Sequence, residues 1–294
     1  MELQIIISKS LVRTNIILLM LAVISMSLFG SGCIDNTNNG AKTDDSLTDV
    51  KLQIAGSTTV LPIAEECARI FMENHPGSRI FVSGGGSSHG VMAVADGTVD
   101  IGCASRDLKS SETGAHPNLV SHGIAKDGVA VTVHPSNPVT DLTMEQLRGI
   151  YTGTITNWAD VGGTDSRIMV VTREEGSGTR DCFEQAVMIP IKAEITDIGI
   201  IQDSNGKMRA TVAGSDQAIG FLSLGYINSD VRAIRLDGIE PTVKNVLDDS
   251  YAISRTLWMI TNGNPDSTEQ AFLDFVLGDK GQEIVEDVHF IPIN

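Results

Sequence analysis

Positive charge is what this 294-residue chain is short of: 21 Lys+Arg stand against 37 Asp+Glu, a formal net charge of −16. Nucleic-acid binding draws on clustered cationic side chains at the phosphates, so this balance excludes it. Aromatic residues are scarce as well, at 4% of the chain. Yet 41% of residues are hydrophobic, which excludes a largely disordered protein and suffices for one large core or two lobes. The four cysteines, Cys33, Cys67, Cys103 and Cys182, show no C-x-x-C spacing, so neither a metal site nor a dense disulfide framework is expected. Buried thiols are the favoured reading for the last three, with one disulfide among them left open. Nine prolines against 29 glycines point to many tight turns and close backbone approaches. No repeat of fixed period, no G-x-x-x-x-G-K-[ST] signature and no second long apolar run occurs. His75, His116, His122 and His134 lack metal-ligand spacing and are expected in solvated loops.

The one apolar run, Ile16 to Phe29, follows Lys9 and Arg13 and is too short for a span of about 20 residues. Residues 1–32 read as an export signal. The run ends in Gly30-Ser31-Gly32-Cys33, which resembles a lipoprotein cleavage site with lipidation at Cys33, although Gly30 stands where leucine is usual. An ordinary signal peptide beside a free cysteine is the alternative. From Cys33 to residue 50 the chain is rich in Asn, Asp, Thr and Ser, a flexible tether.

From residue 51 the pattern alternates. Short β-branched runs at Lys51–Ala55, Arg79–Ser83, Asp100–Ala104, Val129–His134, Arg167–Thr172, Ala218–Ser223 and Thr256–Thr261 are bounded by turn residues. Helical spacing links Ile63, Cys67, Ile70 and Phe71, then Phe183, Ala186 and Val187, then Phe272, Phe275, Val276 and Ile284. Thr143 with Gln146 and Asp266 with Glu269 have capping-box spacing and mark two helix starts. An α/β fold with mostly parallel strands is expected.

Three strand-to-helix junctions share one composition: Gly56-Ser57-Thr58-Thr59, Ser83-Gly84-Gly85-Gly86-Ser87-Ser88 and Gly176-Ser177-Gly178-Thr179. One such turn alone is ordinary capping chemistry. Three that converge would surround an oxyanion with hydroxyls and backbone N–H groups at helix N-termini. Ser105-Arg106 and Arg173 add planar charged forks suited to a tetrahedral anion. Arg180, one turn into its helix, reads instead as a solvated ion pair. The net charge bears weakly on such a site, because exposed charges are screened beyond about 8 Å at physiological ionic strength.

Thr172-Arg173-Glu174-Glu175-Gly176-Ser177-Gly178-Thr179-Arg180, with the Gly56-Thr59 and Gly86-Ser88 junctions, Asp100-Ile101-Gly102, Ser105-Arg106 and Gly153-Thr154-Ile155-Thr156-Asn157-Trp158, resembles the phosphate-binding lipoproteins of ABC-type phosphate importers. The resemblance implies a periplasmic-binding-protein fold of the second type, two α/β lobes joined by two crossing strands. Lobe one would comprise 51–130 and 223–294, and lobe two 131–222, with crossings near Val129–Val133 and Phe221–Tyr226. It implies capture of inorganic phosphate, by Ser57, Thr58, Thr59, Ser87, Ser105, Arg106, Arg173, Ser177, Gly178 and Thr179, and delivery to permease subunits in the membrane. The expected protein is a monomer without cofactor, metal or catalytic activity, lipid-anchored outside the cytoplasm. One departure concerns selectivity. Where the best-known members place an aspartate that accepts a hydrogen bond from protonated phosphate, this chain has Arg106, leaving Asp107, Asp181 or a backbone carbonyl as substitutes. Other oxyanions, or a sensing role, are alternative readings. A different class, a secreted serine hydrolase, rests on Gly86-Ser87-Ser88-His89-Gly90 matching G-x-S-x-G, with Ser88 as nucleophile and Asp216 and His289 completing the triad.

Overall fold

The computed structural model describes residues 50–293; the expected export signal, Cys33 and the expected tether up to residue 49 lie outside the described residues. In chain order the strands are β1 (Lys51–Gly56), β2 (Arg79–Gly84), β3 (Ile101–Ala104), β4 (Leu119–Val133), β5 (Asp141–Leu142), β6 (Met169–Arg173), β7 (Ile200–Gln202), β8 (Ala218–Ser223), β9 (Arg232–Ala233), β10 (Arg235–Leu236), β11 (Ser254–Asn262) and β12 (Ile291–Pro292). The helices are α1 (Leu61–Asn74), α2 (Ser87–Ala95), α3 (Ser110–Ala115), α4 (Met144–Thr152), α5 (Gly178–Val187), α6 (Asn205–Ala213), α7 (Val243–Leu247), α8 (Ser267–Leu277) and α9 (Asp279–Asp287). All seven expected strands are present, six of them within a few residues and Val129–His134 as the end of a much longer β4, and the apolar helical stripes face inward.

One curled sheet runs β2-β1-β3-β11-β4-β8-β6-β7, with β9 and β12 also paired to β4. In the wings, β1 runs parallel to β2 and β3, and β6 runs parallel to β7 and β8, because intervening helices carry the chain back to the same end. The centre departs from the expected parallel arrangement: β11 is antiparallel to β3 and β4, and β4 is antiparallel to β8. The reason lies in β4. It is longer than the expected run, pairs with β11 from Leu119 to Gly128, and pairs with β8 from Val129 to Val133. His122 therefore sits inside a strand rather than a solvated loop, hydrogen-bonded to Thr261 Oγ1 at 3.0 Å.

Two large cores flank this strand. One gathers Leu52, Ile54, Ile63, Phe71, Ile101, Ile124, Leu257, Phe272 and Val285 from both ends of the described chain. The other is built mostly from residues 129–253, and the segment Val231 to Ile253 contributes Val231, Ile234, Leu236, Val246, Tyr251 and Ile253 to it. The scarce aromatics concentrate where they bury most area. Tyr151, Phe183 and Phe221 form a cluster with ring centroids 4.3–5.8 Å apart, and Trp158 is wholly buried with Nε1 donating to Gln217 O at 2.9 Å. Each such side chain contributes about 1.5–3 kcal/mol by burial.

The two capping boxes form. Thr143 Oγ1 accepts from Gln146 N and Thr143 N donates to Gln146 Oε1; Asp266 and Glu269 exchange the equivalent pair. Cys67, Cys103 and Cys182 are free thiols. Burial pushes the first two up to about 12 and Cys182 up to about 11, keeping all three protonated at neutral pH.

Candidate functional site

The loop after β1 is drawn tightly against its neighbours. Gly56 has φ +136°, and a Cβ there would collide with Cys103 O and stand 2.8 Å from Gly90 Cα, so only glycine lets α2 lie this close to β1 and β3. Ser57 N donates to Cys103 O at 2.8 Å and Ser57 Oγ accepts from Thr59 N at 3.1 Å, folding Thr58 and Thr59 into the first turn before α1. The Tyr226 hydroxyl fastens this loop by donating to Thr58 O at 2.6 Å. Burial, aided by the charge of Glu65, pushes Tyr226 up to about 12, so it remains a donor at neutral pH.

The N-termini of α2 and α5 meet beside that loop. Ser177 caps α5, its Oγ accepting from Arg180 N at 3.3 Å, and Ser88 N donates to Gly176 O at 3.0 Å. A Cβ on Gly178 would collide with Ser87 Oγ and lie 2.6 Å from Ser105 Oγ. Glycine is required because the two helix starts touch. Around this contact, Thr59 Oγ1 lies 3.1 Å from Thr179 Oγ1, and Ser87 Oγ lies 3.3 Å from Ser105 Oγ while accepting from Ser105 N at 3.0 Å. Ser57, Thr59, Ser87, Ser105, Ser177 and Thr179 are all buried. Hydroxyls and two helix N-termini thus face one another in a dry setting suited to an anion.

Arg173 enters from the end of β6 and is 1% exposed. Its Nε and Nη2 each donate to Glu174 at 2.9 Å, Nε also to Gln202 O at 3.1 Å, and Nη2 approaches Thr58 Oγ1 at 3.5 Å. Its Nη1 is buried with no hydrogen-bond partner. Leaving such a charged donor unpaired costs about 1–3 kcal/mol or more, an incentive for an anion to bind.

Arg106 is placed differently. It donates twice to Glu112, at 2.8 and 2.7 Å, once to Ser88 Oγ at 2.9 Å and once to Asp107 O at 2.9 Å, and its Nε pairs with Asp181 at 2.7 Å. Burial works against its charge, but the Glu112 hydrogen bond and the Glu112 and Asp181 charges outweigh it, holding its pKa above the ordinary value. The candidate acceptors are also engaged: Asp107 Oδ1 takes the Trp258 Nε1 proton at 3.1 Å, and Asp181 pairs with Lys109 at 2.9 Å as well as with Arg106. Arg180 forms the expected ion pair, with Glu184 at 2.7 Å. Ser88 Oγ has the Arg106 guanidinium as its partner rather than a histidine, which removes the geometric basis of the hydrolase reading.

Sequence reasoning missed four residues. Arg255, from β11, donates to Asp127 Oδ2 through Nε at 2.9 Å and Nη2 at 2.7 Å, and reaches Ser105 Oγ, Thr179 Oγ1 and Thr59 Oγ1 at 3.0–3.2 Å. Burial pushes the wholly buried Asp127 carboxyl up, with Arg255 pulling the other way, and Ser223 Oγ and Leu224 N donate to its second oxygen. Asn205, the first residue of α6, donates to Thr59 Oγ1 at 2.9 Å. Tyr226 is the fourth. Their only local signals were an Asp and an Arg in opposite strands and an Asn after a Ser cap. A cavity of about 870 Å³ flanks the site, lined by Arg106, Lys109, Lys126, Asp181, Cys182 and Arg255 among others; Arg173 and Ser177 to Thr179 are not in its walls. Among the described residues no His, Cys, Asp and Glu cluster could hold a metal ion, and no helix is long and apolar enough to cross a membrane.

Comparison with known proteins places this geometry in a family. The model of the PBP superfamily domain matches residues 36–280. The phosphate-binding protein PstS of Bacillus subtilis is 31% identical over 96% of this chain and 95% of its own length, and that of Borreliella burgdorferi 28% identical over 82% and 90%. Among solved structures, a phosphate ABC transporter substrate-binding protein from Clostridium perfringens, with bound phosphate, superposes with a TM-score of 0.79 at 40% identity, over 83% of this chain and all of that one. An ABC-type phosphate transport receptor from Vibrio cholerae gives 0.68 at 34% identity, over 82% and 99%. The expected fold, the second type of periplasmic-binding-protein architecture, is borne out.

Proposed function

The chain belongs to the PBP superfamily, in the family of the phosphate-binding protein PstS, and on that premise we propose that it is an extracytoplasmic solute-binding protein, without catalytic activity, that captures inorganic phosphate and delivers it to an ABC importer. The observation that carries this reading is Arg173 Nη1, a buried, unpartnered cationic donor beside two converging helix N-termini and a ring of buried hydroxyls. We assign the phosphate contacts to Thr58 with Ser57 and Thr59, Ser87, Arg173, Ser177, Gly178 and Thr179. Ser105 and Arg106 stand behind them.

The moving units we infer are 51–128 with 254–293 and 129–253, because residues 231–253 pack in the core of the second unit. Phosphate touching groups from both favours closure, since a ligand shifts such an equilibrium only by its differential affinity. A lipid on Cys33 with the tether to residue 50 would hold the monomer near its membrane partner and raise the effective concentration without new contacts; membrane release of Cys33→Ser in cell fractionation checks this part. Isothermal titration tests the central claim. Heat of binding with phosphate is expected, and its absence would sink the assignment.

A further inference from the structure

Two buried polar atoms near Thr58 have no hydrogen-bond partner among the described residues, and they are opposite in kind: Arg173 Nη1 is a donor and Asn205 Oδ1 an acceptor. Their side chains converge, since Arg173 Nη2 and Asn205 Nδ2 approach Thr58 Oγ1 at 3.5 and 3.4 Å. Asn205 is wholly buried and opens α6, whose cap Ser204 accepts from Lys207 N at 3.2 Å. Its Nδ2 is committed to Thr59 Oγ1 at 2.9 Å, which leaves Oδ1 as the free end of the amide. A protonated tetrahedral anion satisfies both orphans at once: an unprotonated oxygen takes the arginine donor, and the anion's O–H serves the amide oxygen.

The two threonine hydroxyls Thr59 and Thr179 are unsuited to that second task. Thr59 Oγ1 receives Asn205 Nδ2 and Arg255 Nη2, so its own proton turns to Thr179 Oγ1, 3.1 Å away. Thr179 Oγ1 then holds that proton and Arg255 Nη1 at 3.0 Å, so its hydroxyl can only donate outward. Thr179 is thereby a donor. Ser87 Oγ accepts from Ser105 N at 3.0 Å and shares a hydroxyl–hydroxyl contact of 3.3 Å with Ser105 Oγ, which itself accepts from Arg255 Nη1 at 3.2 Å. The nearby carboxylates of Asp107, Asp181 and Glu174 are held by Trp258, by Arg106 with Lys109, and by Arg173 respectively.

We infer that Asn205 Oδ1 accepts the hydrogen of protonated phosphate and is the residue that discriminates against fully deprotonated oxyanions such as sulfate, which would set acceptor against acceptor. The inference rests on the phosphate reading above. It is tested by titrating phosphate and sulfate into the wild-type protein, Asn205→Leu and Asn205→Asp. The leucine keeps the volume and removes the acceptor: phosphate should weaken roughly 10-fold and the preference for phosphate over sulfate should fall about 10- to 100-fold. The aspartate keeps an acceptor and should keep the preference. If circular dichroism shows Asn205→Leu unfolded, the same loss is expected in Asn205→Ala, which also lacks an acceptor. An unchanged ratio in the acceptor-less variant overturns the inference, as does loss of the preference in Asn205→Asp or a wild type that takes sulfate as tightly as phosphate. A wild type that takes no phosphate overturns the underlying reading instead.

Discussion

Arg173 and Arg106 each stand at or just beyond the end of a strand, each is buried, and each is gripped in two places by a glutamate, Glu174 and Glu112 respectively. What separates them is the second carboxylate. Asp181 closes the circle around Arg106, whereas Arg173 keeps Nη1 uncommitted. Burial and charge alone do not make an anion ligand. On the proposed reading, a buried cation flanked by two carboxylates ties elements together, and one whose Nη1 has no hydrogen-bond partner and only one flanking carboxylate is open to an anion.

Substitution should separate the two regions. Replacing Arg173 with methionine removes a desolvated charged donor, so phosphate affinity should fall by about 2–5 kcal/mol, at least ~30-fold, in isothermal titration. Arg106→Met should do the reverse. Glu112, 11% exposed, would keep only Lys109 N, and Asp181, 20% exposed, only Lys109, costing about 1–3 kcal/mol of stability in urea unfolding while phosphate affinity changes less than about 5-fold. Equal affinity losses in the two variants would erase the distinction. The smallest effect is a pH dependence confined to the Arg106 side. Burial alone would raise Glu112, but hydrogen bonds from Arg106 and Lys109 N and the charges of both outweigh it and hold its carboxyl below the usual 4.5. Its contribution is therefore complete above that value and is lost as pH falls through the lowered one. The melting-temperature gap between wild type and Glu112→Gln should be constant near neutrality and close below about pH 4.5.

How much of this was legible depends on whether the signal was local. The Gly-Ser-Gly-Thr turn after Arg173 and the glycine turn after β1 announce themselves because helix capping and close approach demand particular residues at fixed spacing. Ala218–Ser223 was legible to the residue, since it is a buried strand between turns. By contrast, Asp127 and Arg255 meet only because β4 and β11 pair in that register, and nothing in either local sequence announces the other. Arg106 was read as an anion ligand from its type and neighbours. Its carboxylate partners, one supplied by α3 and one by α5, were invisible along the chain. The short strands β5, β7, β9, β10 and β12 escaped notice for a related reason: two or three residues carry no periodicity.

The placement of β11 also bears on the order in which the molecule can be made. The core that includes Phe71 and Ile101 takes Leu257, Phe272 and Val285 from the far end of the chain, and β3 and the first part of β4 have β11 as a common neighbour. During synthesis, the half that begins first therefore waits longest. Its strand edges stay unpaired until β11, Ser254–Asn262, has emerged, while most of the internal unit can pack earlier. The nascent chain is thus a late-maturing one, dependent on β11 to seal the strands made first.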